Sequence, residues 1–182
     1  MGHQNLKKKS KFLALVLRHN PSVAHIELDD NGWADVDELI KGSEKANAVL
    51  TQEILDEIVE TDNKQRYAYN DDKTKIRANQ GHSIDVDVEL EEKDPPDTLY
   101  HGTANRFVDS IMKKGLESRG RKYVHLSMDV STATTVGRRH GSPAILEIDT
   151  KKMSESGLLF YLSKNNVWLT EYVDPKYIVR IK

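Results

Sequence analysis

The side chains of this 182-residue chain that can do chemistry are arginines, histidines and hydroxyls gathered in a few short clusters. Tyr100-His101-Gly102-Thr103 follows Leu99 and precedes a helical pattern. Imidazole and hydroxyl supply directional hydrogen bonds, and glycine lets a flat ring approach the backbone, so such a strand end can grip a nucleotide ribose. Taken alone, the plainer reading, a strand-to-turn junction with a half-buried His101, is the better one. Further on, Gly120-Arg121 leads into Tyr123-Val124-His125-Leu126-Ser127, whose alternation sets Tyr123, His125 and Ser127 on one strand face. That polar face is either a solvent side or the wall of a site. Gly137-Arg138-Arg139-His140-Gly141 is a basic corner flanked by glycines, able to hold a pyrophosphate or equally to close a helix with ordinary surface charge.

The first half carries its own set. Arg18-His19 ends the first helical pattern before Pro21, where a cation also serves as a helix-dipole partner. Arg66 opens a hairpin pattern. Arg77 begins a run, Arg77-Ala78-Asn79-Gln80-Gly81-His82-Ser83, that concentrates side-chain donors around a glycine turn. A loop with a purely structural task rarely needs so many donors.

What is missing narrows the chemistry. The absence of cysteine removes disulfides, thiol catalysis and the usual zinc sites. Neither a P-loop nor a Rossmann fingerprint is present, no G-x-S-x-G marks a hydrolase, and no paired acids mark a glycosidase or metal nuclease. No apolar run is long enough to cross a bilayer, and Leu6 occupies the position where a myristoylation signal needs Ser or Thr. A cytoplasmic monomer is the default expectation. Residues 1–93 hold 13 Lys/Arg against 19 Asp/Glu, and residues 94–182 hold 14 against 10, so the halves carry −6 and +4. A net acidic half does not forbid a phosphate site, because a few convergent arginines make one locally.

The elements that must position these groups can be read from periodicity. Residues 4–18 pattern as a helix with Phe12, Leu13, Val16 and Leu17 on one stripe. Ile26-Glu27-Leu28 reads as a short strand, Asp35 as the cap of a helix through Leu39 and Ile40, and Thr51 as the cap of another. Residues 66–69 and 75–78 read as a hairpin. Helix, strand, two helices and a hairpin make a winged-helix pattern. Val88 to Asp97 ends in Asp94-Pro95-Pro96, a stiff linker, giving domains 1–93 and 94–182. Beyond it come strands at 98–101, 123–127, 143–148, 160–162, 167–169 and 178–181, with helices at 104–114 and, capped by Ser131, 131–138. The fold class is α+β, the second half a mostly antiparallel split sheet with helices.

In order and spacing these motifs resemble the NAD-dependent RNA 2′-phosphotransferases, the tRNA-splicing family found in bacteria as KptA. The resemblance rests on Ser10-Lys11-Phe12-Leu13, Leu17-Arg18-His19-Asn20-Pro21, Gly32-Trp33-Ala34-Asp35, Lys64-Gln65-Arg66-Tyr67 and Ile76 through Ser83. It continues with Leu99 through Thr103, Tyr123 through Ser127, Gly137 through Pro143 and Val167-Trp168-Leu169-Thr170. It implies a winged-helix RNA lobe and an ADP-ribosyltransferase-like NAD lobe. It implies Arg18, His19, Arg66 and Arg121 as the catalytic set. RNA contacts are expected from Arg18, His19, Arg66, Arg77, Gln80 and His82. NAD contacts are expected from Tyr100, His101, Gly102, Thr103, His125, Ser127, Gly137, Arg139, His140 and Val167. Val167 stands where other ADP-ribosyltransferases carry a glutamate, a difference that is normal for this branch. The implied partners are NAD, consumed as a co-substrate, and RNA bearing an internal 2′-phosphate. No metal and no membrane are expected. Transfer of ADP-ribose to terminal phosphates of nucleic acid, and a non-catalytic NAD sensor on a winged helix, are the alternatives.

Overall fold

The computed structural model describes residues 3–181, without the side chain of His3. The chain forms two compact units that divide between Glu89 and Leu90. The sequence pattern sets the boundary at 93/94, but Glu91–Glu92 pair with Tyr161–Leu162 and the Lys93 N–H donates to the Phe160 carbonyl at 3.0 Å. These residues are therefore part of the second unit.

In the first unit, α1 (His3–Arg18) buries Leu13, Val16 and Leu17 and ends at Asn20-Pro21, where a 3-10 turn, Pro21–Ala24, takes over. Proline fits the first turn of a helix because no N–H is needed there. Next come β1 (Trp33–Asp35), α2 (Val36–Lys45) and α3 (Gln52–Thr61). The Asp35 and Thr51 side chains accept from the N–H groups of Glu38 and Ile54, the two expected caps. Strands β2 (Tyr67–Tyr69) and β3 (Lys75–Ala78) complete an antiparallel sheet in the order β1-β3-β2. The expected strand at 26–28 does not form. The chain turns through a left-handed His25 (φ 53°), and the strand is Trp33–Asp35, in register with Lys75–Arg77. The core of the unit gathers around Leu13, Leu17, Leu39, Leu55, Ile58 and Ile76.

The second unit holds β4 (Glu91–Glu92), β5 (Thr98–Ala104), α4 (Asn105–Lys114), β6 (Leu116–Glu117), β7 (Val124–Leu126) and α5 (Val130–Gly137). It continues with β8 (Pro143–Asp149), α6 (Thr150–Glu155), β9 (Tyr161–Leu162), β10 (Trp168–Thr170), β11 (Tyr172–Val173) and β12 (Ile178–Ile181). Its sheets run β12-β8-β5, β4-β9-β10-β7 and β11-β6, and every described pairing is antiparallel. The α+β class holds. Three details differ from expectation. Strand β5 runs through Gly102 and Thr103 to Ala104, α5 is capped by Asp129 accepting from Thr132 rather than by Ser131, and α6 adds a helix capped by Asp149. An aspartate accepts the helix N–H with a full charge, which favours it over a nearby serine.

Two sheets of this unit are stapled at one point. The Tyr100 N–H donates to the Ser127 carbonyl at 2.9 Å, and the Ser127 N–H donates back to Tyr100 at 2.7 Å. The staple sets the Tyr100–Thr103 segment beside the β7 segment that carries His125.

Candidate functional site

In the first unit the expected donors fall around the end of α1 and the start of the hairpin. Arg18, only 9% exposed, lies with its guanidinium carbon 5.8 Å from the centre of the Tyr67 ring. Gly81 (φ 90°) turns against it, so that a Cβ there would sit 3.7 Å from the guanidinium. The neighbouring His19 is exposed, and its Nδ1 is 2.8 Å from the Ser83 hydroxyl, while the Ser83 N–H donates to the Arg18 carbonyl at 2.9 Å. The Arg77–Ser83 run thus folds back onto the Arg18-His19 corner.

Arg66 is fixed by residues that the sequence pattern does not single out. Its guanidinium pairs with Asp62, whose side chain is 9% exposed, and the other Asp62 oxygen accepts the Arg66 N–H at 2.8 Å. Just after β3, Asn79 donates its side-chain amide to the Gln65 carbonyl at 2.6 Å and its N–H to the Arg66 carbonyl at 2.8 Å. Gln65 is left-handed (φ 44°), a strained conformation for a residue with a Cβ, and these bonds from both sides hold it. Tyr67 anchors the same corner through its hydroxyl, which donates to the Ser10 carbonyl at 2.9 Å. Burial raises the phenol pKa, and the charges of Arg18 and Arg66 pull it back. Arg18, Arg66, Asp62 and Tyr67 thus share one neighbourhood.

Arg77 and His82, expected among the RNA contacts, lie inside the unit, 1% and 5% exposed. The Arg77 guanidinium carbon stacks 4.4 Å from the Trp33 ring centre, its cross-strand neighbour. Its Nη1 donates to Glu89 at 2.9 Å and to the Asn31 carbonyl at 3.3 Å. The work visible for Arg77 is joining β1, β3 and the last residue of the unit. Gln80 is partly exposed.

In the second unit the staple brings Tyr100, His101, His125 and Ser127 together. His101 Nδ1–H donates to the His125 carbonyl at 3.0 Å. A carbonyl can only accept, so the proton is on Nδ1. Burial chiefly, and the charge of His140 as well, lower the His101 pKa, against the contrary pull of that hydrogen bond. The ring is therefore neutral at pH 7, with its Nε2 lone pair available as an acceptor. His125 Nδ1 donates to the Tyr123 carbonyl at 3.1 Å. The expected alternation holds, with Tyr123, His125 and Ser127 partly exposed and Val124 and Leu126 buried. Thr103 is buried, and Val167 sits partly exposed in the turn before β10, its N–H bonded to the Ser163 hydroxyl at 3.0 Å.

Gly102 and Gly137 serve a different purpose from the open approach that their type suggests. A Cβ on Gly102 would overlap the Ala133 carbonyl of α5, and one on Gly137 would come 2.7 Å from the Thr103 oxygen. The two glycines face each other across a backbone-to-backbone contact of α5 on β5. They draw the following Arg138–His140 turn towards His101. Arg139 and His140 are exposed there, and Arg121, exposed in the loop before β7, lies close enough to Arg139 to feel its charge. Partial burial first, then Arg139, lower the Arg121 pKa. The second unit thus presents a neutral acceptor imidazole, hydroxyl-bearing strand ends and a rim of cations, a donor set suited to a ribose and to phosphates.

Comparison with known proteins shows what the chain is similar to. A family model described as RNA 2′-phosphotransferase, Tpt1 / KptA family, matches residues 4–172. A protein of Flavobacterium johnsoniae is 53% identical over 178 residues, 98% of both chains. One of Hahella chejuensis is 51% identical over 175 residues, 96% of this chain and 94% of its own. One of Nostoc punctiforme is 46% identical over 181 residues, the whole of both. All three carry the name "Probable RNA 2′-phosphotransferase".

Proposed function

This chain belongs to the RNA 2′-phosphotransferase, Tpt1 / KptA family, and from that premise we propose that it transfers an internal RNA 2′-monophosphate to NAD. The products are RNA with a 2′-hydroxyl, nicotinamide and ADP-ribose 1″,2″-cyclic phosphate. NAD is here a substrate and is consumed. The first unit is read as a winged-helix RNA lobe and the second as an ADP-ribosyltransferase-like NAD lobe. The observation that carries the NAD half is His101, held by Nδ1 and neutral, with Nε2 left to accept from a ribose hydroxyl.

In the first step the RNA 2′-phosphate attacks C1″ of the nicotinamide ribose. A phosphate–C1″ bond forms, and nicotinamide leaves with the electron pair of its glycosidic bond. A phosphate monoester is already an anionic nucleophile and needs positioning more than a base. Arg18, His19 and Arg66 orient it, the guanidiniums remaining charged throughout. In the second step O2″ of that ribose attacks phosphorus, giving up its proton to solvent water, and the bond from phosphorus to the RNA O2′ breaks. The leaving O2′ takes a proton from His19. Charge on the transferring phosphoryl group is met by arginine, and Arg121 is assigned that role. Around the nucleotide, Tyr100, Thr103, His125, Ser127 and Val167 line the ribose side, and Arg139 with His140 supplies cations for the pyrophosphate. Gly102 and Gly137 let α5 approach.

The test is product analysis after incubation with NAD and a 2′-phosphorylated oligonucleotide. Nicotinamide and the cyclic phosphate are expected together. No nicotinamide release would leave only a non-catalytic NAD sensor, and nicotinamide without the cyclic phosphate would point to ADP-ribosylation of nucleic-acid phosphates that stops after one step. Arg121→Ala is expected to accumulate the ADP-ribosylated RNA; a block before nicotinamide release would overturn the role given to Arg121.

A further inference from the structure

Of the arginines of the second unit that have no part in this scheme, two share one aromatic ring. Arg106 is the second residue of α4, and Arg119 lies in the loop two residues before Arg121. Their guanidinium carbons lie 4.7 Å and 5.2 Å from the centre of one ring, that of Phe107. Both side chains are exposed, and no carboxylate among the described residues pairs with either. One aromatic ring thus gathers two like charges without a counter-ion. A cation over an aromatic face gains about 0.5–1 kcal/mol at an exposed site, which holds the pair in place but does not neutralise it.

The surroundings add to the same field. Helix α4 is preceded by Ala104, which has no side chain able to cap it, so the positive end of the helix lies beside Arg106. Gly141 (φ 131°) passes close enough that a Cβ on it would sit 3.7 Å from Arg106 Nη1. Gly120, between Arg119 and Arg121, has open space where a side chain would stand. Arg119 is thus two residues from the arginine assigned to the transferring phosphoryl group, with bare backbone between them. The chain between them is a tight turn, with Arg119 left-handed (φ 43°) and the Arg121 N–H donating back to the Arg119 carbonyl, so the two arginines leave the loop from neighbouring points.

We propose that Arg106 and Arg119, spread on Phe107, hold backbone phosphates of the RNA strand flanking the nucleotide that Arg121 addresses. The proposal rests on the phosphotransferase reading for the position of that nucleotide. Guanidinium forks match phosphate oxygens in pairs, and the segment 94–182 carries the net positive charge that the first half lacks. The strand grip outside the reacting phosphate is thereby assigned to the second unit.

The test uses the full chain and the double substitution Arg106→Glu/Arg119→Glu, with circular dichroism and thermal melting to confirm folding, and Arg106→Ala/Arg119→Ala as the milder variant. Binding is read by fluorescence anisotropy with a labelled single-stranded RNA dodecamer lacking the 2′-phosphate. This readout does not depend on turnover. Expected is a tenfold or greater loss of dodecamer affinity for the glutamate variant. The slope of log affinity against log salt should flatten by about 1.4 for two lost phosphate contacts. The KM for a 2′-phosphorylated dodecamer should rise while that for a 2′-phosphorylated dinucleotide and that for NAD stay within twofold. Equal losses on dinucleotide and dodecamer, a rise confined to the KM for NAD, or unchanged dodecamer binding would each overturn the proposal. Failure of the phosphotransferase reading itself is separate, seen as absence of nicotinamide release from the unaltered protein.

Discussion

Arg66, proposed to orient the RNA 2′-phosphate, shows how a cationic side chain is held in place. Asp62 binds both its backbone N–H and its guanidinium, and Asn79 holds the two carbonyls beside it. A buried carboxylate that binds a cation proposed for catalysis lowers the net charge offered to substrate, so its expected benefit lies in orientation. Asp62→Asn is expected to lower kcat by about tenfold to a hundredfold, with NAD affinity unchanged, since a 1 Å misplacement costs about that much. Unaltered kcat would show that Arg66 needs no such support. His101 offers a second test, through pH. Its folded pKa lies below the ordinary 6.5, burial being the main cause. As pH falls from 6.5 towards the folded value, the unfolded chain binds a proton that the folded chain refuses, and stability is lost. Melting temperature should therefore fall between pH 7 and 5 more steeply for the natural chain than for His101→Asn, whose amide keeps the donor to His125. Parallel curves would remove His101 as the titrating group. None of the Asp62, Asn79 and Gln65 contacts is legible in the sequence, because each is made by a turn whose closure depends on where β3 ends.

Among the elements, those set by local chemistry were legible and those set by tertiary contact were not. Asp35 and Thr51 cap their helices because each precedes an apolar stripe and needs only its own next turn. Ile26-Glu27-Leu28 has strand-like residues but no partner strand in register, whereas Trp33–Asp35 gains β3, with Arg77 stacked on Trp33. Propensity without a ladder does not make a strand. The strand at Tyr100-His101 was legible, but neither its continuation through Gly102 and Thr103 nor the reason for the glycine was, since that reason is Ala133 on another element. Gly102→Ala should therefore destabilise the protein by about 1–3 kcal/mol or more, the usual cost of overpacking, in the absence of any nucleotide. An unchanged melting temperature with impaired NAD binding would instead return the glycine to the ligand.

At the scale of the whole chain, the cationic groups proposed for the reaction are side chains, Arg18, His19, Arg66 and Arg121, split between the two units. Full turnover in EDTA is the expected outcome, measured as cyclic phosphate released; a strict requirement for a divalent ion would reassign the charge stabilisation. No helix among the described residues is long and apolar enough to cross a membrane. The sequence pattern divides the chain at 93/94 and the contacts divide it between Glu89 and Leu90, because Glu91–Glu92 are claimed by β9 through backbone bonds to which side-chain composition is blind. The reciprocal pair between Tyr100 and Ser127 has a further use. Those two amide protons are the rivets of a seam between sheets, flanking the proposed ribose acceptor. Their hydrogen-exchange lifetimes make them built-in reporters, slowing when a nucleotide clamps the seam and quickening when it breathes, in variants with or without activity.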